Sequence, residues 1–319
     1  MAPIAPMDSE EQVKFTEEGE GGKESPPGAP STNADTDLQK SGTDEPENRF
    51  NLVWRLHVAA AVFMGIQAIS YGAIEVDLQL VPTTGFPVYC NAEIPGNDCG
   101  GSWNTTPAVR KLPSQNPVWL MSFFCALASA DHIITSLYGY YREEDAKWWL
   151  YKAQSNPFRM IEYSISASAM VWGITQLCGI HDVHLIMMLC VGTCLGMLLG
   201  LVVEFLPCED NKNDVISASL IRNMVYTIAA FSIFVPWLVI MCYFFQGASE
   251  SAPPDFVYAA FLGTLLLFVL FGVNSYLNRI AKKYDFETAE IVYVVLSFTA
   301  KTFLAADVFG GLRAASDDD

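Results

Sequence analysis

TAEIVYVVLSFTAKTFLAADVFGGL, Thr288 to Leu312, is an apolar run long enough to cross a bilayer as a helix, and a single lysine, Lys301, sits in its middle. An ammonium at bilayer mid-depth costs roughly 2.5 to 3.5 kcal/mol on insertion scales, and about 11 residues on either side make a snorkel to the interface hard. A lone buried amine needs a chemical reason. A carboxylate elsewhere in the bundle is one; conversion to a Schiff base, the reaction that desolvated lysines undergo with carbonyl compounds, is another. A structural ion pair or a lysine facing a water cavity is the plainer account. The run by itself leaves these open, and the rest of the chain has to decide.

Of 319 residues, 51% are apolar, and the mean hydropathy of +0.26 is high for a soluble domain. That average joins two unlike parts. Met1 to Asn48 is rich in Glu, Asp, Ser, Pro and Gly, has only Lys14, Lys23 and Lys40 as bases, and carries a single aromatic, Phe15. Such a segment buries too little apolar surface to offset its ordering entropy, so residues 1–48 are expected to be a disordered acidic tail, with no secretory leader. Much of the net charge of −17 lies there and in the short acidic stretch 314–319, so the acidity says little about a substrate. It does exclude nucleic acid as a partner, because no basic stripe exists to meet phosphates.

Residues 49–313 read as one membrane unit. Seven apolar runs of spanning length follow one another: Leu52–Ile74, Pro117–Tyr140, Pro157–Gly179, His184–Leu206, Asn223–Phe245, Phe256–Leu277 and Thr288–Leu312. Soluble helices keep a polar face, and these are apolar nearly all round. The fold class expected is an all-α membrane protein, a bundle of seven transmembrane helices.

Basic residues choose its orientation. Arg142, Lys147 and Lys152 lie between runs two and three, Lys212 between four and five, and Arg279, Lys282 and Lys283 between six and seven. The alternate connections are nearly bare of basic residues, so the N-terminus is expected in the cytoplasm and the C-terminus outside. The long first connection would then be extracellular or lumenal and fold as a β-hairpin. Cys90 and Cys99 within it are a disulfide candidate on that oxidising face, and Asn104-Thr105-Thr106 is a weak glycosylation sequon because Pro107 follows. The other six cysteines lack metal-ligand spacing and read as packing residues. No resident metal is expected; His181, Asp182 and His184 sit in a short exposed connection.

The third run opens with Asn156-Pro157, a cap followed by proline at the first helical position, and continues PFRMIEYSISASAMVWGI. Glu162 is its only acid. Ser166 lies one turn on along the same face, with Tyr163 and Met170 nearby. A carboxylate with hydroxyls stacked beside it is what a buried cation requires. Depth is the difficulty, since Glu162 enters about 8 Å into its run and Lys301 about 20 Å into its own at ~1.5 Å per residue. Both helices run the same way and side chains lean toward helix N-termini, so the amine reaches toward the level of the carboxylate. Ser297, one turn before Lys301, can meet either group.

Here the sequence resembles a family, the heliorhodopsins, which are retinal-binding seven-helix proteins of inverted topology. The similarity spans roughly Asn51 to Arg313 and is strongest in RMIEYSISASAM, Arg159 to Met170, and EIVYVVLSFTAK, Glu290 to Lys301, continuing into Phe303-Leu304-Ala305. Pro236-Trp237, Asp131-His132 and Asn274 look similar too. The resemblance implies that Lys301 carries all-trans retinal as a protonated Schiff base, with Glu162 as counterion, Ser297 as hydrogen-bond partner and His132 in a polar network close by. It also implies that Tyr163, Met170, Trp237, Phe261 and Phe268 wall the polyene, and that the protein is a homodimer. Two positions depart from it: Met64 stands where a histidine is expected and Ala128 where a serine is usual. Asp307 replaces an expected amide.

Plainer readings stand beside some of these. Without the resemblance, His132 reads as a core histidine, His57 as interfacial, and Glu204 as a partner of Arg222 or Lys212. Trp148, Trp149 and Tyr151 suit an interfacial belt against membrane lipid. The function expected is light sensing rather than enzymatic catalysis, with a slow photocycle and a cytoplasmic signalling partner. The alternative is light-gated or light-driven proton transport. Gly173, about three turns beyond Glu162, weighs against a pump, which needs ionisable groups on both sides of the Schiff base.

Overall fold

The computed structural model describes residues 34–73, 81–87, 107–207, 216–250 and 252–317, with side chains described over 49–73, 81–84, 111–207, 216–250 and 252–311. The chain divides into two compact units, Met1–Asp44 and Glu45–Asp319. The backbone is helical from Ala34, whereas composition led us to expect no structure before residue 49. Extending an existing helix gains one hydrogen bond per residue fixed, and Asp, Gln, Lys and Glu are tolerated in it.

The helices are α1 (Ala34–Gly72), α2 (Pro117–Tyr141), the short α3 (Glu143–Lys147), α4 (Pro157–Leu177), α5 (Val183–Phe205), α6 (Ala218–Glu250), α7 (Asp255–Ser275) and α8 (Phe286–Asp317). Polar caps start three of them. Asn116 accepts from Val118 N at 2.9 Å, Asn156 from Arg159 N at 3.2 Å and Asp182 from Leu185 N at 2.9 Å, each satisfying a backbone donor that the helix cannot. Between α1 and α2, β1 (Thr83–Pro87) pairs antiparallel with β2 (Pro107–Lys111), and Thr83 N donates to His181 O at 2.6 Å, tying the strands to the connection between α4 and α5. Residues 88–106, with Cys90, Cys99 and Asn104, lie outside the described residues.

Among the described residues, six helices are long and apolar enough to cross a membrane: Arg49–Gly72, Pro117–Tyr141, Val183–Phe205, Ala218–Glu250, Asp255–Ile280 and Phe286–Gly311. Their outward faces are greasy, with Ile69, Trp119, Met188, Phe231 and Leu266 all exposed, while Arg159, Glu162, Arg222, Glu290 and Lys301 are buried. Polar inside and apolar outside is the pattern of a protein dissolved in lipid. α4 is not among these six, because much of it turns polar side chains inward. Arg159, Glu162, Ser164, Ser166, Thr175 and Gln176 all point inward, while Phe158, Ile161 and Ile165 face out.

Packing follows chain order. α1 runs antiparallel along α2, where Trp54 donates to Ser136 O at 2.9 Å, Ser129 to Ala61 O at 2.8 Å and Ser122 to Ala68 O at 2.7 Å. α4 packs on α2 and α5, α5 on α6, and α8 on α7 and α2. The close approach of α5 and α6 requires a small residue: a Cβ at Gly196 would lie 3.1 Å from Ala229 O and collide with Ile233. Ser232 donates to Gly192 O at 2.9 Å across the same seam.

Candidate functional site

Two contacts at the start of α4 and α8 set how these helices sit side by side. Arg159 forms an ion pair with Glu290, and Asn156 Nδ2 donates to Glu290 Oε1 at 2.6 Å. Glu290 lies 11 residues before Lys301 and Arg159 three before Glu162, so the Lys301 backbone sits farther along the bundle than that of Glu162. The lysine side chain leans back toward the start of α8 and closes the gap. Its Nζ lies 3.3 Å from Glu162 Oε1 and donates to Ser297 Oγ at 2.7 Å. Tyr163 presents its ring to the amine at 5.1 Å and donates its hydroxyl to Tyr293 O at 3.1 Å.

Lys301 is 3% exposed and Glu162 5%. At an effective dielectric constant near 20, opposite charges at this separation attract by about 4 to 5 kcal/mol. Removing each ion from water costs several kcal/mol, so the pair gains little stability by itself. Its value lies in holding an amine at one place in the interior.

A small cavity of about 20 Å³ touches Lys301 and is lined by Tyr163, Ser166, Met170, Phe268 and Ser297. A larger one of about 300 Å³ shares Tyr163, Met197, Phe268 and Phe271 with it and runs on to Trp237 and α6. The larger cavity is apolar and lies at the lower end of the ~300–1,000 Å³ range usual for small-molecule sites, and the smaller one reaches the amine. Trp237 meets Phe268 edge-on at 5.0 Å. Phe261 stands one ring back: it stacks on Phe244 at 4.4 Å and supports Trp237 from behind, lining neither cavity.

His132 joins a polar cluster between α1, α2 and α8. Its Nδ1 lies 2.9 Å from His57 Nδ1 and 3.7 Å from Asp131 Oδ2, and His57 Nε2 lies 3.6 Å from Glu290 Oε1. His57 is therefore buried within the bundle, not interfacial as its place near the run's end led us to expect. Glu204 was expected beside Arg222 or Lys212; Lys212 lies outside the described residues. Glu204 pairs with Arg159 and accepts from Ser155 Oγ and Asn156 N at 3.2 and 3.0 Å, while Arg222 donates to Pro207 O at 2.5 Å. The missed members, Arg159, His57 and Glu290, carried a readable signal: ionisable groups in apolar runs must find partners inside the bundle. Outside the spans, Tyr284 donates to Asn274 Oδ1 at 2.5 Å, and burial raises its phenol above the usual range.

An apolar helical bundle whose buried lysine meets a carboxylate at the end of an aromatic-walled slot is the architecture of the microbial rhodopsins. The fold agrees with a solved member: the crystal structure of a light-driven proton pump, LR (Mac), from Leptosphaeria maculans matches with a TM-score of 0.51 at 13% identity, covering 85% of this chain and 95% of that one. The heliorhodopsin family model matches residues 43–312, so the chain belongs to the heliorhodopsin family. No curated protein matches the sequence. It is a retinal-binding rhodopsin integral to the membrane. The residues present fit that chromophore, offering a primary amine, a charge partner and neighbouring apolar cavities that share aromatic walls.

Proposed function

We propose that this heliorhodopsin is a light sensor with Lys301 as its attachment point. Lys301 Nζ would hold all-trans retinal as a protonated Schiff base, which when bound would supply the absorption of light and the isomerisation. Glu162 is the counterion, and Ser297 fixes the nitrogen by its hydrogen bond. Tyr163, Met170 and Phe268 wall the near part of the slot, Ser166 contributes a hydroxyl to it, Trp237 bounds the far part, and Phe261 keeps Trp237 in place. Glu162 Oε1 is placed to take a proton from Nζ when that geometry breaks, and small shifts of α8 against α4 carry the change to the connections at the basic end. The observation that carries this reading is the Lys301 amine, 3.3 Å from Glu162 at the head of the cavity.

The wider reading is a seven-span bundle with α4 as the seventh span, N-terminus in the cytoplasm and C-terminus outside, with an acidic N-terminal segment and a disulfide between Cys90 and Cys99. It acts as a homodimer that signals through a cytoplasmic partner. Pumping is disfavoured at Gly173, which supplies no second ionisable group about three turns beyond Glu162. The buried histidine pair favours proton transport as the second reading. Purified protein given retinal should show a visible band that Lys301→Ala abolishes and that hydroxylamine bleaches in light; a band retained by Lys301→Ala would overturn the assignment. In voltage-clamped cells a sensor gives no photocurrent, a pump gives a sustained current at zero potential, and a channel gives one that reverses.

A further inference from the structure

We propose that the wall of the larger cavity at Trp237 selects a retinal bearing a hydroxyl on its ring, held between Trp237 Nε1 and Thr264 Oγ1. The proposal rests on the retinal-binding reading above and narrows its ligand. Its first observation is the indole. Trp237 lines the cavity of about 300 Å³, is 4% exposed, and its Nε1 is buried without a hydrogen-bond partner among the described residues. Trp54 and Trp172, by contrast, find acceptors at Ser136 O and Gln115 Oε1, 2.9 and 2.7 Å away. The other polar side chains lining that cavity are engaged: Tyr226 donates to Gly272 O at 3.0 Å, Tyr163 to Tyr293 O at 3.1 Å, and Tyr293 is hydrogen-bonded to Ser275.

The second observation lies across the seam, on α7. Thr264 is fully buried, and its Oγ1 has no hydrogen-bond partner among the described residues either. A threonine inside a helix ordinarily returns its hydroxyl to the carbonyl four residues back, and Thr193, Thr227 and Thr299 do so at 3.0, 2.8 and 2.7 Å. Thr264 makes no such bond to Ala260 O, which leaves its hydroxyl for a neighbour. It stands three residues after Phe261 and four before Phe268, on the α7 face that they share, and both rings pack on Trp237 with centroids 6.2 and 5.0 Å away. The indole N–H and the threonine hydroxyl therefore belong to one spot between α6 and α7. A hydrocarbon ring offers nothing to either atom, and a buried polar group left unmet costs its full desolvation. A ring hydroxyl answers both: its oxygen accepts from Trp237 Nε1, and its proton is donated to Thr264 Oγ1. Sites built to bond a substrate hydroxyl reject the analogue lacking it far more strongly than apolar pockets sort by size.

Competition on the full-length, retinal-free protein tests this. All-trans retinal is offered in equal amount with all-trans 3-hydroxyretinal or with all-trans 4-hydroxyretinal, and the bound chromophore is released with hydroxylamine and identified by chromatography. The expected result is an excess of about 10-fold for one of the hydroxylated aldehydes in the wild type, falling to near equality in Thr264→Val and retained in Thr264→Ser. Thr264→Ala is the second variant should Thr264→Val take up neither aldehyde. Nitrogen NMR on protein labelled at tryptophan reads the contact itself. Of the seven indole signals, the one that Trp237→Phe removes should move downfield when the preferred hydroxylated aldehyde is bound in place of retinal. Equal or lesser uptake of both hydroxylated aldehydes, as an enclosed water bridging the two side chains would give, overturns the proposal and leaves the retinal-binding reading standing. A preference that neither Thr264→Val nor Thr264→Ala reduces, or an unmoved Trp237 signal, does the same. No visible band with any of the three aldehydes overturns both.

Discussion

At the scale of single residues, Lys301 and Glu162 are each a liability alone and tolerable together. Removing one partner of a buried ion pair leaves an uncompensated charge and costs about 3 to 5 kcal/mol, whereas replacing both by apolar groups of similar size is often neutral. Glu162→Gln should therefore destabilise the retinal-free protein by about that much, and Glu162→Gln combined with Lys301→Met should recover most of the loss in a denaturation series. A single variant within about 1 kcal/mol of wild type would show that the two charges are not coupled. These residues were legible in the sequence because each is an ionisable side chain in an otherwise apolar run. His57 was misread because it lies near the end of its run, where an interface would suffice; only α2 packed alongside, with His132 level with it, shows that it is interior. Phe261 and Phe268 lie on one face of α7, and a helical repeat cannot separate them. Phe244 does so by filling the space beside Phe261.

At the scale of helices, Arg159 is the joint between α4, α5 and α8. It pairs with Glu204 and Glu290 and lies against the Tyr293 ring at 4.0 Å. Arg159→Met leaves two carboxylates buried in its place, so a loss of about 3 to 5 kcal/mol is expected, larger than for most surface changes. Adding Glu204→Gln and Glu290→Gln to Arg159→Met should restore much of it, which thermal melting in one detergent can read. The α5–α6 seam makes a separate demand. Gly196→Leu would push Ile233 and the α6 backbone away, and the variant should lose its cooperative melt or fold poorly, while Gly247→Leu, where a Cβ meets nothing within 4 Å, should melt as wild type does. The apolar runs were evident from the sequence, but their relative depth was not. Hydropathy marks where a helix crosses and says nothing of how far it slides along its neighbour; for α4 and α8 that offset is set by Arg159 meeting Glu290. The same inward polar face that makes α4 functional also makes it the least recognisable as a span.

At the scale of the whole molecule, the distribution of charge sets the direction of everything above. Arg142, Lys147, Lys152, Arg279, Lys282 and Lys283 gather where α2 and α7 end and α8 begins, the same end at which a cavity lined by His57 and Glu290 lies. Basic residues in short connections are retained on the cytoplasmic side during insertion, so that end should face the cytoplasm. The hairpin strands then face out. An epitope tag inserted after Glu144 should be stained only once the membrane is permeabilised, while a tag after Asp319 should be stained in intact cells or inside sealed organelles. The reverse pattern would turn the molecule over, and any partner reading the basic connections would have to be extracellular.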